Sequence, residues 1–180
     1  MVKLVKKIWH SHHYTLLSGA IVAIAIIFCT QNAKAQQFEI SQRSDSLWVL
    51  ALVQPTSGMT TGTWDLPYPV YRFGTADIDG DGSLDAVVGV FTSSRYFPQP
   101  SRRVFIFKNY KGKVRPLWLG SRLGGELVDF SLVGNDIRAI EKTETGYAVS
   151  DYTWKGFGMG FKELISKCST LDESYKLLGQ

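Results

Sequence analysis

Four aspartates stand close together in the stretch Asp77-Ile78-Asp79-Gly80-Asp81-Gly82-Ser83-Leu84-Asp85. Carboxylates at that spacing repel one another unless a cation shares them, and Ca²⁺ takes about 6–8 oxygen ligands at once. The spacing predicts a calcium loop. Asp77, Asp79, Asp81 and Asp85 would supply carboxylate oxygens, directly or through water, and Ser83 its backbone carbonyl. Gly80 and Gly82 would supply the positive φ that wrapping a single ion demands. Calcium is the cofactor this implies, with its role structural rather than catalytic.

The residues around the loop decide which kind it is. An EF-hand carries a bidentate Glu at its twelfth position and then runs into a helix. Here the twelfth position is Val88, and Ala86-Val87-Val88-Gly89-Val90-Phe91 reads as a buried strand. Val70-Tyr71-Arg72-Phe73 upstream is strand-like too. A strand, Phe73-Gly74, the Asp loop and then Leu84-Asp85-Ala86-Val87-Val88-Gly89 together resemble the FG-GAP (VCBS-type) repeat over Tyr71 to Val90. The resemblance implies a loop between strands of a β-propeller blade that commonly carries Ca²⁺, in modules many of which serve adhesion or recognition. The chain holds one copy of the loop, whereas the family usually has several repeats.

Residues 1–35 read as an export signal. Lys3, Lys6 and Lys7 precede an uncharged apolar run from Leu16 to Cys29, and Ala33-Lys34-Ala35 gives the small-x-small pattern of a cleavage point. That run is short for a membrane span, which needs about 20 apolar residues. The rival is an uncleaved N-terminal anchor. Export to the periplasm or the outside is the expected localisation, with no membrane attachment after cleavage.

Cleavage changes the composition that matters. The segment holds four Lys and no acidic residue, so the formal charge of +4 disappears with it. Net charge then gives no reason to expect a nucleic-acid partner. His10, His12 and His13 leave as well, so no Ser-His-Asp or Cys-His catalytic pair can form. Cys168 remains as the lone Cys, which excludes an intrachain disulfide and the usual four-ligand zinc sites. A buried or idle thiol is the plain expectation.

The remainder, 36–180, is one domain's worth of chain. Turn formers crowd 55–70 and 92–102, which read as surface loops. From Arg103 onward short strands alternate with turns. In Leu127–Val133 the alternation puts Val128, Phe130 and Leu132 on one face, and Asp129 and Ser131 on the other. The expected fold is all-β: an antiparallel meander of about eight strands in propeller-blade-like sheets, either an incomplete propeller or a small sandwich. A short C-terminal helix follows, because Thr170-Leu171-Asp172-Glu173 fits a capping box.

Trp64, Tyr68 and Arg95 are the candidate ligand-binding residues. Aromatics on loops can stack on sugar rings, and Arg95 with Arg102 and Arg103 could meet an acidic ligand. Core packing is the competing account for the aromatics. Lys108, Lys111, Lys113 and Arg115 read as a solvated hairpin edge. Glu126 and Asp129 are the other possible carboxylate pair, but their spacing points them to opposite faces of a strand. The expected function is an exported, non-catalytic calcium-binding β module that recognises a protein or glycan. The alternatives are a metal-assisted hydrolase of glycans or phosphoesters, and a subunit that completes a larger β assembly, by self-association among other routes.

Overall fold

The computed structural model describes residues 36–120 and 123–179. The expected export signal, 1–35, lies outside the described residues. In chain order the elements are β1 (Gln37–Ser44), β2 (Leu47–Gln54), β3 (Met59–Leu66), β4 (Val70–Ala76), β5 (Asp85–Thr92), β6 (Ser101–Tyr110), β7 (Lys113–Leu119), β8 (Glu126–Val133), β9 (Asp136–Thr143), β10 (Gly146–Trp154), β11 (Met159–Cys168) and α1 (Leu171–Leu178). They form three open antiparallel sheets, β1-β2-β3, β4-β5-β6-β7 and β8-β9-β10-β11, in which strands pair with their neighbours in sequence.

The all-β meander and the C-terminal helix follow the sequence pattern, but the described residues form eleven strands rather than about eight. Two strands carry little signal. In β1, Gln37-Phe38-Glu39-Ile40-Ser41-Gln42-Arg43-Ser44, only Phe38 is buried. β3 occupies the middle half of the segment, 55–70, whose turn formers predicted a loop. Its Gly62 is there because the strand presses on the β6–β7 turn: a Cβ would lie 2.9 Å from the Gly112 carbonyl oxygen and 3.0 Å from Lys113 Cα. The turn formers bracket the strand rather than replace it.

The sheet β4–β7 is the middle layer. Alternation sends Ala86, Val88, Val90, Phe105 and Phe107 to one face, where they meet Phe38, Leu50, Leu52 and Leu66 of the first sheet. Val87, Val104 and Ile106 go to the other face, against Leu127, Phe130, Ile137, Ala139 and Tyr152 of the third. Both faces of β5 are therefore covered, which is why it reads as a near-continuous apolar run. Ile140, Val149, Cys168 and Leu178 fill the far side of the third sheet, under α1. Thr170 Oγ1 accepts from the Glu173 amide at 3.3 Å, and Glu173 Oε2 accepts from the Thr170 amide at 3.3 Å, so the expected capping box is formed.

β8 departs from simple alternation. A register shift between Leu127 and Asp129 puts Leu127 with Phe130 and Leu132 in the middle–third core, and Val128 on the helix side. Asp129, expected on a solvent face, is 6% exposed. One extra residue in a strand reverses the faces on either side of it.

Candidate metal centre

The Asp loop is the β4–β5 connection. Ile78 anchors it: the side chain is 3% exposed and belongs to the core between the middle and third sheets. With Ile78 pinned inward, Asp77 and Asp79 on either side turn back toward Asp85, the first residue of β5. One carboxylate oxygen from each of Asp77, Asp79 and Asp85 lies within 4.8 Å of the other two. Oxygens on opposite sides of a Ca²⁺ ion with bonds of about 2.3–2.6 Å stand roughly that far apart. Gly80 at φ 73° and Gly82 at φ 85° make the reversal, in the left-handed region that side chains disfavour.

Hydrogen bonds hold the carboxylates in place. Asp85 Oδ2 accepts from the amides of Ile78 at 3.0 Å and Asp79 at 3.4 Å. Asp77 Oδ2 accepts from Gly82 at 3.0 Å. Asp79 Oδ1 accepts from Asp81 at 3.3 Å, and Asp81 Oδ1 from Ser83 at 2.9 Å. Asp77 Oδ1 and Asp85 Oδ1 are buried and have no hydrogen-bond partner. A buried acceptor left unmet costs about 1–3 kcal/mol, more when charged. Asp85 is 1% exposed, and its burial, reinforced by the charge of Asp79, pushes its pKa up to about 6. The donor set is hard, anionic and convergent, which suits a divalent cation held by oxygen.

Asp81 and Lys108 complete the picture. Lys108 Nζ lies 2.5 Å from Asp79 Oδ2 and 2.8 Å from Asp81 Oδ2. Its hydrogen bonds to Asp79 and then Asp81 raise the ammonium pKa. The bond from Lys108 is also the leading reason that the Asp81 carboxyl sits below its usual range. Lys108 therefore departs from the expected solvated hairpin edge. The register Ala86↔Phe107 sets the residue after Phe107 beside the loop, and a register is invisible before strands are paired. Ser83, the remaining predicted ligand, is exposed next to this group.

The other predicted residues lie elsewhere. Trp64 sits on β3 with its ring 5.7 Å from Phe107. Tyr68 stands edge-on to Phe105 at 5.9 Å. Both pack on the core between the first and middle sheets. Arg95 is exposed on the 93–100 loop, 6.0 Å from the Tyr96 ring. Arg103, 4% exposed, braces that loop: its Nε donates to the Thr92 carbonyl at 3.0 Å and its Nη2 to the Phe97 carbonyl at 3.2 Å. Beneath the loop lies a cleft of about 270 Å³, lined in part by Arg102, Arg103, Trp118 and Glu126. Glu126 is exposed while Asp129 is buried and bound to Arg72, so these two carboxylates form no pair. In comparisons with known proteins, the chain matches no protein-family profile, no curated protein and no solved structure.

Proposed function

We propose that the chain is an exported, non-catalytic calcium-binding β module that recognises a protein or glycan. One observation carries the reading: Asp77 and Asp85 each keep a buried carboxylate oxygen without a partner, and each also offers an oxygen within 4.8 Å of one from Asp79. Asp77, Asp79 and Asp85 would hold the ion directly, with Asp81 and the Ser83 carbonyl joining as the loop closes on it. The likeness of Tyr71–Val90 to the FG-GAP repeat supports the same choice of ion and the same class of role. The role of the ion is structural, because it would join the start of β5 to the end of β4.

Recognition falls to the opposite end of the middle sheet. β5 runs from Asp85 to Thr92, about 23 Å at the usual rise of a strand. The 93–100 loop at its far end exposes Arg95 and Tyr96, with Tyr96 75% exposed, above the cleft that holds Arg102 and Trp118. A cation next to an aromatic face over a groove suits a ligand with both anionic and apolar parts, such as an acidic glycan or a peptide. Trp64 and Tyr68 would act there only by supporting the core.

Thermal unfolding in excess EDTA and then in millimolar CaCl₂, repeated on Asp79→Ala, tests the calcium reading. Binding to the folded state raises stability by roughly 2.7 kcal/mol when the ion is at about a hundredfold excess over Kd. A shift of several degrees that Asp79→Ala abolishes is expected. The same midpoint in both buffers would refute it.

A further inference from the structure

We propose that Lys108 is the built-in competitor of the cation: its ammonium holds Asp79 and Asp81, and a divalent ion binds by exchanging with it. This rests on the calcium reading above and adds to it the element that sets affinity and charge selectivity.

The argument starts from the oxygens of Asp79. One, Oδ2, is taken by Lys108 at 2.5 Å. The other, Oδ1, accepts from the Asp81 amide at 3.3 Å. Whichever oxygen Asp79 offers to an ion shared with Asp77 and Asp85 already accepts one of these bonds, so the ion must share it. The bond to Lys108 is the one an entering cation opposes, since two positive charges would then crowd a single carboxylate. Asp81 is in the same position: its Oδ2 is held by Lys108 at 2.8 Å and its Oδ1 by the Ser83 amide. Releasing Lys108 therefore frees two carboxylates in one movement. The ammonium needs no distant refuge, because its side chain, near the end of β6, is already 23% exposed.

Exchange has a consequence for selectivity. A monovalent ion that displaces an ammonium leaves the charge of the group unchanged, whereas a divalent ion adds one positive charge to a cluster of four carboxylates. Lys108 thereby subtracts nearly the whole electrostatic gain from Na⁺ or K⁺ and only part of it from Ca²⁺. It also keeps the acidic loop from carrying its full repulsion when calcium is scarce.

Two measurements on the full chain test this. In metal-stripped buffer, amine acetylation followed by mass spectrometry should label Lys108 slowly, and millimolar CaCl₂ should raise that rate several-fold. Lys111 and Lys113, on the same hairpin, should not change. Calorimetric titration with CaCl₂ at constant ionic strength should then show Lys108→Gln binding about three- to tenfold tighter than the unmodified chain, the range expected for loss of two partly exposed ion pairs. Lys111→Gln, which removes the same formal charge elsewhere on the hairpin, should stay within about twofold of the parent. Calcium binding with no change in Lys108 labelling would overturn the exchange while leaving the calcium reading intact, and so would equal or weaker binding by Lys108→Gln. No calcium binding by the unmodified chain would overturn both.

Discussion

Arg72 on β4 and Asp129 on β8 meet in a two-point ion pair, Nε to Oδ1 at 2.7 Å and Nη2 to Oδ2 at 2.5 Å, which fastens the middle sheet to the third. The Asp129 side chain is 8% exposed and the Arg72 side chain 39%, so the desolvation falls mainly on Asp129. Arg72→Met leaves that charge buried and unpaired and should destabilise the protein by about 2–3 kcal/mol. In the double variant Arg72→Met/Asp129→Leu both partners are apolar, and part of the loss should return. Urea unfolding of the two variants and the parent measures both effects.

The same crossing depends on two glycines with unequal tolerance. A Cβ at Gly89 would lie 2.7 Å from the Tyr71 ring and 2.9 Å from the Phe130 ring, while one at Gly74 would meet only Leu132 Cδ1 at 2.9 Å. The rings pack edge to face at 6.2 Å and cannot swing aside as a leucine methyl can. Gly89→Ala should cost about 1–3 kcal/mol, and Gly74→Ala clearly less. Denaturation midpoints of the two single variants decide the order.

Asp85 gives the metal-stripped protein a pH slope of predictable sign. Its carboxyl has a folded pKa near 6 against an ordinary 3.8, because burial and then the Asp79 charge oppose ionisation. Below the ordinary value it is protonated in both states and costs nothing. As the pH rises toward the folded value, the unfolded chain gives up the proton first, and stability falls. Above that value the loss is complete, on the order of 3 kcal/mol. Asp85→Asn should flatten this slope in metal-stripped buffer and also lose the gain from calcium. Urea midpoints taken from about pH 4 to about pH 7 read out both.

α1 guards the one thiol of the domain. Cys168 is 9% exposed and packs with Ile140, Val149 and Leu178. Arg138 ties the helix down: Nη1 donates to the Leu177 carbonyl at 3.1 Å, and Nε and Nη2 hold Asp151 at 2.8 and 3.0 Å. In a Cys29→Ser background, native protein should react with an aromatic disulfide reagent far more slowly than unfolded protein. Arg138→Met should speed the native reaction by loosening the helix. Equal rates in the parent and Arg138→Met proteins would show that the helix stays docked without that bond.

Local chemistry was legible in the sequence, and register was not. The left-handed glycines of the Asp loop, the capping box at Thr170 and the doubly buried run of β5 all depend on residues a few positions apart, and each forms as its pattern predicts. β3 was hidden because Gly58, Gly62 and Pro67 mark turns on any local reading, while the reason for Gly62 is the backbone of a hairpin some fifty residues away. Asp129 was misplaced by a register shift that no alternation can reveal. Lys108 looked like one charge among four on a hairpin until β5 and β6 were aligned. In the candidate site, the three converging carboxylates are readable from spacing, and the ammonium of Lys108 paired with Asp79 and Asp81 is not.

The three sheets differ from many β folds in how they must be assembled. Strands pair with sequence neighbours throughout, so each sheet grows by adding hairpins, and closing a short loop costs little chain entropy. The contacts between sheets are distant by comparison; Arg72 and Asp129 are 57 residues apart, so they should form later, when the faces dock. If such contacts form after the folding transition state, Arg72→Met should chiefly speed unfolding and leave the folding rate nearly unchanged, which the two arms of a chevron plot would read. On that expectation the ion pair between the sheets would govern how long the folded molecule lasts, and the hairpins how quickly it is made.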